Sequence, residues 1–122
     1  MNLEALRAYL LSRPGATEDH PFGAQPLVVK VGGKIFALVS EDAKPLDISL
    51  KCDPAHAQFL RDSFPAVRPG YHLNKEHWNT VTLDGSVADD GIRAMIDESY
   101  RLVVASLSKA ARRRLGGGEP PG

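Results

Sequence analysis

The stretch Leu27-Val28-Val29-Lys30-Val31-Gly32-Gly33-Lys34-Ile35-Phe36-Ala37-Leu38-Val39 decides the fold. Two runs rich in β-branched and apolar residues flank a pair of glycines. Glycine accepts the positive φ that a two-residue turn requires, so this pattern predicts a tight antiparallel hairpin. Downstream, Leu46-Asp47-Ile48-Ser49-Leu50 alternates apolar and polar residues. A strand with one buried face has that period, with Leu46, Ile48 and Leu50 turned to the core.

Helical signals lie on both sides. Leu3, Leu6 and Leu10 recur at helical spacing after a capping Asn2, and Pro14-Gly15 ends that element near Ser12. Ala16 to Pro26 is polar and proline-containing and is expected to be an irregular connection, as is the loop Glu41 to Pro45. Asp53-Pro54 reads as a second helix start, a capping carboxylate followed by proline at the first helical position. Ala57, Leu60 and Phe64 then share one face, and Pro65 stops the helix. Val67 to Leu83 has extended character. One long last helix is expected from about Ala88 to Arg113, with Ile92, Met95, Ile96, Val103 and Leu107 as its apolar stripe.

The predicted class is α+β, an antiparallel sheet packed against helices in the order α-β-β-β-α-β-β-α. The 122 residues suit one domain, over 1–115, followed by a Gly/Pro tail, 116–122, expected to be disordered. Hydrophobic residues make up 43% and charged residues 25%, as in ordinary globular proteins. Lys plus Arg and Asp plus Glu each number 15. That balance argues against strong non-specific nucleic-acid binding, which draws on many phosphate contacts. No membrane-spanning run and no secretory-type start are seen, so a cytoplasmic location is expected, with no membrane partner.

Candidate chemistry is sparse. Cys52 is the one cysteine, which excludes an internal disulfide and a Cys-rich zinc site. It precedes the second helix, where a thiolate would gain from the helix N-terminus, yet a lone cysteine most often acts as a small apolar group. His72 and His77 would face each other if Asn74-Lys75 were a two-residue hairpin tip. They would be separated if Asn74 capped a helical turn, and in neither case is a third metal ligand evident. Glu18, Asp19 and His20 read as a polar loop. Walker, Rossmann, metalloprotease and nucleophile-elbow motifs are absent from the sequence. No catalytic residue, metal or cofactor is therefore assigned, and the chain is read as non-enzymatic.

The basic residues Lys30, Lys34, Lys44, Arg68 and Lys75, with His77, fall at or near predicted turns, and Lys109, Arg112, Arg113 and Arg114 cluster near the end of the last helix. Basic hairpin tips can lie along phosphates. Lysines on strands also keep sheet edges from pairing with other chains, and cations at a helix C-terminus complement its dipole.

The segment Pro69-Gly70-Tyr71-His72-Leu73-Asn74-Lys75-Glu76-His77-Trp78-Asn79-Thr80-Val81 resembles the YjbR/MmcQ family. Pro14 to Gly23 resembles that family's N-terminal loop, and Ile96 to Val103 its last helix. The likeness runs from about Leu3 to Leu115. It implies a CyaY-like fold and a DNA-binding protein with two projecting hairpin wings, and it implies no catalytic residues. At the matching positions, Trp78 is expected in the core, Asn74 at a turn, and Lys75 and His77 more exposed. The leading expectation is a monomeric, non-enzymatic DNA-binding protein that uses Lys34, Lys44, Arg68, Lys75 and His77. The alternative is a protein-interaction or small-ligand-binding module in which the aromatic segment forms a groove.

Overall fold

The computed structural model describes residues 1–23, 25–70 and 73–115, so the tail, Tyr71 and His72 lie outside the described residues. The described elements are α1 (Leu3–Leu11), β1 (Ala16–Asp19), β2 (Leu27–Val31), β3 (Lys34–Ser40), β4 (Asp47–Lys51), α2 (Pro54–Ser63), β5 (Val67–Pro69), β6 (Trp78–Thr82), α3 (Asp89–Ala105) and α4 (Lys109–Leu115). The strands form one antiparallel sheet in the order β1-β2-β3-β4-β6-β5.

The hairpin that fixes the fold forms as expected. Gly32 and Gly33 carry φ of 58° and 81°, the left-handed pair that matches the twist of a two-residue turn. Asn2 caps α1, its Oδ1 accepting the Ala5 N–H at 2.8 Å. Asp53 caps α2, accepting from the N–H groups of Ala55 and His56 at 3.1 and 3.3 Å. Both caps satisfy donors that the first helical turn leaves unpaired.

Strand register sorts the side chains into two faces. Leu27, Val39, Ile48, Val81 and Val67 stand side by side across β2, β3, β4, β6 and β5. All five are buried and belong to one core with Leu6 and Leu10 of α1, Ala57 and Leu60 of α2, and Ile92, Ile96 and Val103 of α3. The helices therefore cover this face. α3 lies across β3 and β4, α2 beside β5 and β6, and α1 beside β1.

Two expectations about elements change. Ala16 to Asp19 is a strand, β1, pairing with β2 from Ala16↔Val31 to Asp19↔Val28. Its four residues are polar or small and three are exposed, so no alternation marks it; the free edge of β2 imposes the extended form. The last helix is two. Ser106 ends α3, its Oγ bonding the Val103 carbonyl at 2.6 Å. Ser108 Oγ then accepts the Ala111 N–H at 3.1 Å and starts α4. Serines compete for backbone groups in this way and close one helix while opening the next. Leu107 between them is buried, so the apolar stripe runs on through the break. The order is thus α-β-β-β-β-α-β-β-α-α.

Candidate functional site: a groove on the open sheet face and a Cys-His-Glu cluster

The face of the sheet away from the helices carries the remaining rows. One crosses all six strands: Asp19, Val28, Leu38, Ser49, Thr80 and Arg68. The next places Ser40, Asp47 and Thr82 together. A groove of about 720 Å³ opens over these rows, floored by Leu38, Ser40, Asp47, Ser49, Arg68 and Thr80. Phe22, Gln25, Pro26 and Leu73 form its walls, from the loops after β1 and after β5.

The polar floor is internally bonded. Ser49 Oγ and Thr80 Oγ1 share a hydrogen bond of 2.8 Å. Arg68 pairs with Asp47 at 3.1 Å and donates to Thr82 Oγ1 at 2.7 Å, and Thr82 donates to Asp47 at 2.8 Å. Gln25 is held to the start of the next loop, its Oε1 accepting the Glu41 N–H at 3.0 Å. Phe22 is 68% exposed, a large apolar surface at the rim. Residues of this kind, an apolar wall with a few fixed polar groups, are typical of small-molecule sites, and the volume falls in their range.

The five expected DNA contacts do not converge. Lys34 is the first residue of β3 and Lys44 lies in the loop after it, so they belong to opposite ends of a strand that spans roughly 20 Å at the usual rise per residue. Lys34 Nζ donates to the Ser106 carbonyl and hydroxyl, each at 3.3 Å, where it complements the end of α3. Lys44 is exposed and makes no ion pair among the described residues. Arg68 is the one of the five in the groove, and Asp47 neutralises it. Lys75 is exposed and reaches the Gly70 carbonyl at 3.4 Å. His77 is half-buried, and its carbonyl accepts the Cys52 N–H at 2.8 Å. Elsewhere Arg7 pairs with Glu18, Arg13 with Asp97, Lys30 with Asp19 and Arg93 with Asp90.

The aromatic segment meets expectation at Asn74 and departs from it at Trp78. Asn74 fixes a turn, its Oδ1 accepting the Glu76 N–H at 2.9 Å and its carbonyl the His77 N–H at 3.2 Å. The ladder of β5 and β6 begins at Pro69↔Asn79, so Asn74-Lys75 is not a two-residue hairpin tip. Trp78 shares the parity of Thr80, which puts it on the open-face rows; it is half-buried and outside the core. Arg61 of α2 braces this segment, donating to Asn79 Oδ1 at 2.7 Å and to the carbonyls of Lys75 and Trp78.

On the helix side, Cys52 and His56, four residues apart, meet Glu98 from a distant part of the chain. Cys52 follows β4, His56 lies in the first turn of α2, and Glu98 comes from α3. The Cys52 thiol donates to Glu98 Oε2 at 3.4 Å, and His56 Nδ1 lies 2.6 Å from Glu98 Oε1 and 3.7 Å from Cys52 Sγ. The Asp53 N–H also reaches Glu98 Oε2, at 3.3 Å. Cys52 is 4% and Glu98 9% exposed. Burial, then the Glu98 charge and hydrogen bond, push the Cys52 thiol up to about 12. The free thiol is therefore protonated at neutral pH and is no activated nucleophile. The helix N-terminus beside it, which favoured a thiolate in the sequence, is outweighed by burial and a carboxylate.

The fold defines a small α+β protein with an antiparallel sheet, helices on one face and a groove on the other. The chain belongs to the YjbR family, whose profile matches residues 11–102. It is 37% identical over 115 residues to the uncharacterized protein YjbR of Escherichia coli K12, covering 94% of this chain and 98% of that protein. It is 39% identical over 112 residues to the uncharacterized protein YbdF of Escherichia coli O157:H7, covering 92% of each. The crystal structure of Deinococcus radiodurans DR2400, with a DUF419 domain, aligns with a TM-score of 0.89 and 38% identity over 98% of this chain and 96% of that one. A Pseudomonas syringae protein aligns with a TM-score of 0.74 and 29% identity, over 84% of this chain and 99% of its own. No helix among the described residues is long and apolar enough to cross a membrane.

Proposed function

We propose that this protein is a binding module that takes a small, uncharged, partly apolar molecule on the open face of its sheet. The observation that carries this reading is the groove of about 720 Å³, in which hydroxyls and a neutralised Arg68–Asp47 pair face the exposed ring of Phe22. An uncharged ligand leaves that ion pair intact. A phosphate would have to draw Arg68 from both Asp47 and Thr82, uncovering a carboxylate. The family resemblance suggests DNA instead, and the exposed Lys44 and Lys75 remain available to it.

The test is amide NMR on labelled full-length chain with a library of small, uncharged aromatic amides. Hits should shift Leu38, Ser49, Leu73 and Thr80, and Ser49→Trp, which fills the groove, should remove those shifts while the rest of the spectrum stays in place. Absence of hits, or hits mapping away from the groove, overturns the reading. Salt-sensitive retardation of a DNA duplex that is lost in the double variant Lys44→Glu/Lys75→Glu would replace it with the nucleic-acid one.

A further inference from the structure

We propose that Cys52, His56 and Glu98 form a site for one zinc-class divalent cation. Their donor atoms all lie within 4.8 Å of one another, and the fold brings them together from two segments of the chain, residues 52–56 and α3. A tetrahedral zinc ion holds sulfur at about 2.3 Å and imidazole nitrogen or carboxylate oxygen at about 2.0–2.2 Å, so its donors sit roughly 3.3–3.6 Å apart. The Cys52–Glu98 separation of 3.4 Å already has that size, and the Cys52–His56 separation of 3.7 Å is close to it. The His56–Glu98 separation of 2.6 Å is that of a hydrogen bond and must open. The His56 side chain, 45% exposed, has room to swing outward while the two buried ligands stay fixed.

Charge and ligand type agree with this assignment. A thiolate and a carboxylate with a neutral imidazole cancel a divalent cation, so the buried pair would carry no net charge in the complex. Binding breaks the Cys52 S–H bond, releases that proton to solvent and forms a metal–sulfur bond, with no change of oxidation state. Thiolate and imidazole favour zinc over magnesium or calcium, which prefer oxygen. The Asp53 N–H on Glu98 Oε2 orients the carboxylate, and the Phe59 ring stacks on His56 with centroids 6.2 Å apart. Three protein ligands with one exposed edge leave a fourth position for solvent, the arrangement of zinc sites that keep an exchangeable ligand. The cluster is on the helix-covered side of the sheet, so it stands or falls independently of the groove.

The experiment uses the full chain, stripped with a chelator and titrated with Zn²⁺ by calorimetry and with Co²⁺ by absorbance. One ion per chain is expected, with a sulfur-to-cobalt charge-transfer band in the near ultraviolet. Cys52→Ser should remove the band, and His56→Ala and Glu98→Gln should each weaken Zn²⁺ binding by at least about tenfold. Should Cys52→Ser fail to fold by circular dichroism, the half-exposed His56→Ala decides. No uptake, cobalt uptake without a sulfur band, or affinity unchanged in the variants that fold would each overturn the proposal.

Discussion

Replacing Ser99 by alanine removes one hydroxyl from the centre of the protein and should cost far more than its volume implies. Ser99 is fully buried on α3. Its Oγ donates to the Phe36 carbonyl at 2.6 Å and accepts the Lys51 N–H at 2.8 Å. The β3–β4 ladder runs from Ser40↔Asp47 to Ala37↔Leu50, so Phe36 and Lys51 are the next pair along. Ser99 thus stands where those two backbone groups would otherwise bond each other, and it pins α3 to both strands. Alanine leaves a buried N–H and a buried C=O without this partner, each costing about 1–3 kcal/mol. Partial closing of the ladder would recover some of that, so a loss of about 2–4 kcal/mol is expected. Urea unfolding followed by circular dichroism should show a lower midpoint at unchanged slope, and the melting temperature should fall by on the order of 10 °C. Glu98 is the neighbouring residue, so the Cys52–Glu98 contact should loosen as well. A loss under about 0.5 kcal/mol would refute the idea that the serine supports both backbone groups.

The Cys52 thiol should react slowly with alkylating reagents in the native chain near pH 8 and at an ordinary rate in denaturant, because its folded value is about 12 against 9.0 for an unperturbed thiol. From the same shift, the native state holds this proton between pH 9 and 12 while the unfolded chain releases it. Its contribution to stability is whole below about pH 9 and is lost as pH rises to about 12. A pH series of unfolding curves should therefore flatten in that window for Cys52→Ala. Arg61→Met should speed amide exchange at His77 and Glu76 while leaving the core slow, since Arg61 anchors the carbonyls of Lys75 and Trp78. Gly33→Ala should destabilise the chain by about 1–2 kcal/mol through the positive φ alone, since the added Cβ would meet open space; thermal melts measure it.

Much of the fold was legible because local chemistry and burial agreed. The Gly32-Gly33 hairpin, the alternating β4 and the Asp53-Pro54 helix start each have a local cause that the tertiary structure keeps. β1 was hidden because an exposed edge strand buries nothing that would give it a period. The break at Ser106 was hidden because Leu107 continues the apolar stripe of α3 across it. Trp78, at a position matching the family motif, was expected in the core, whereas its facing is set by register two residues from Thr80. Neither candidate site could be read directly. The Cys52–Glu98 contact spans 46 residues, and the groove rows exist only once six strands are in register. A partial signal was present in the i, i+4 spacing of Cys52 and His56 about a helix start.

β4 explains why two unrelated sites can occupy so small a molecule. Asp47 and Ser49 point into the groove, Ile48 and Leu50 enter the core, and the strand then delivers Cys52 to the helix side. Side chains on a strand alternate between faces, so the groove and the cluster are separated by the thickness of the sheet and share a backbone. A substitution at Ser49 can change the open face without touching Cys52, and one at Cys52 leaves the floor of the groove in place. Two of the basic residues serve the fold itself. The open-face cation Arg68 is satisfied by Asp47 within the floor, and Lys34 by the end of α3, so these basic residues hold the fold together instead of forming a cationic surface.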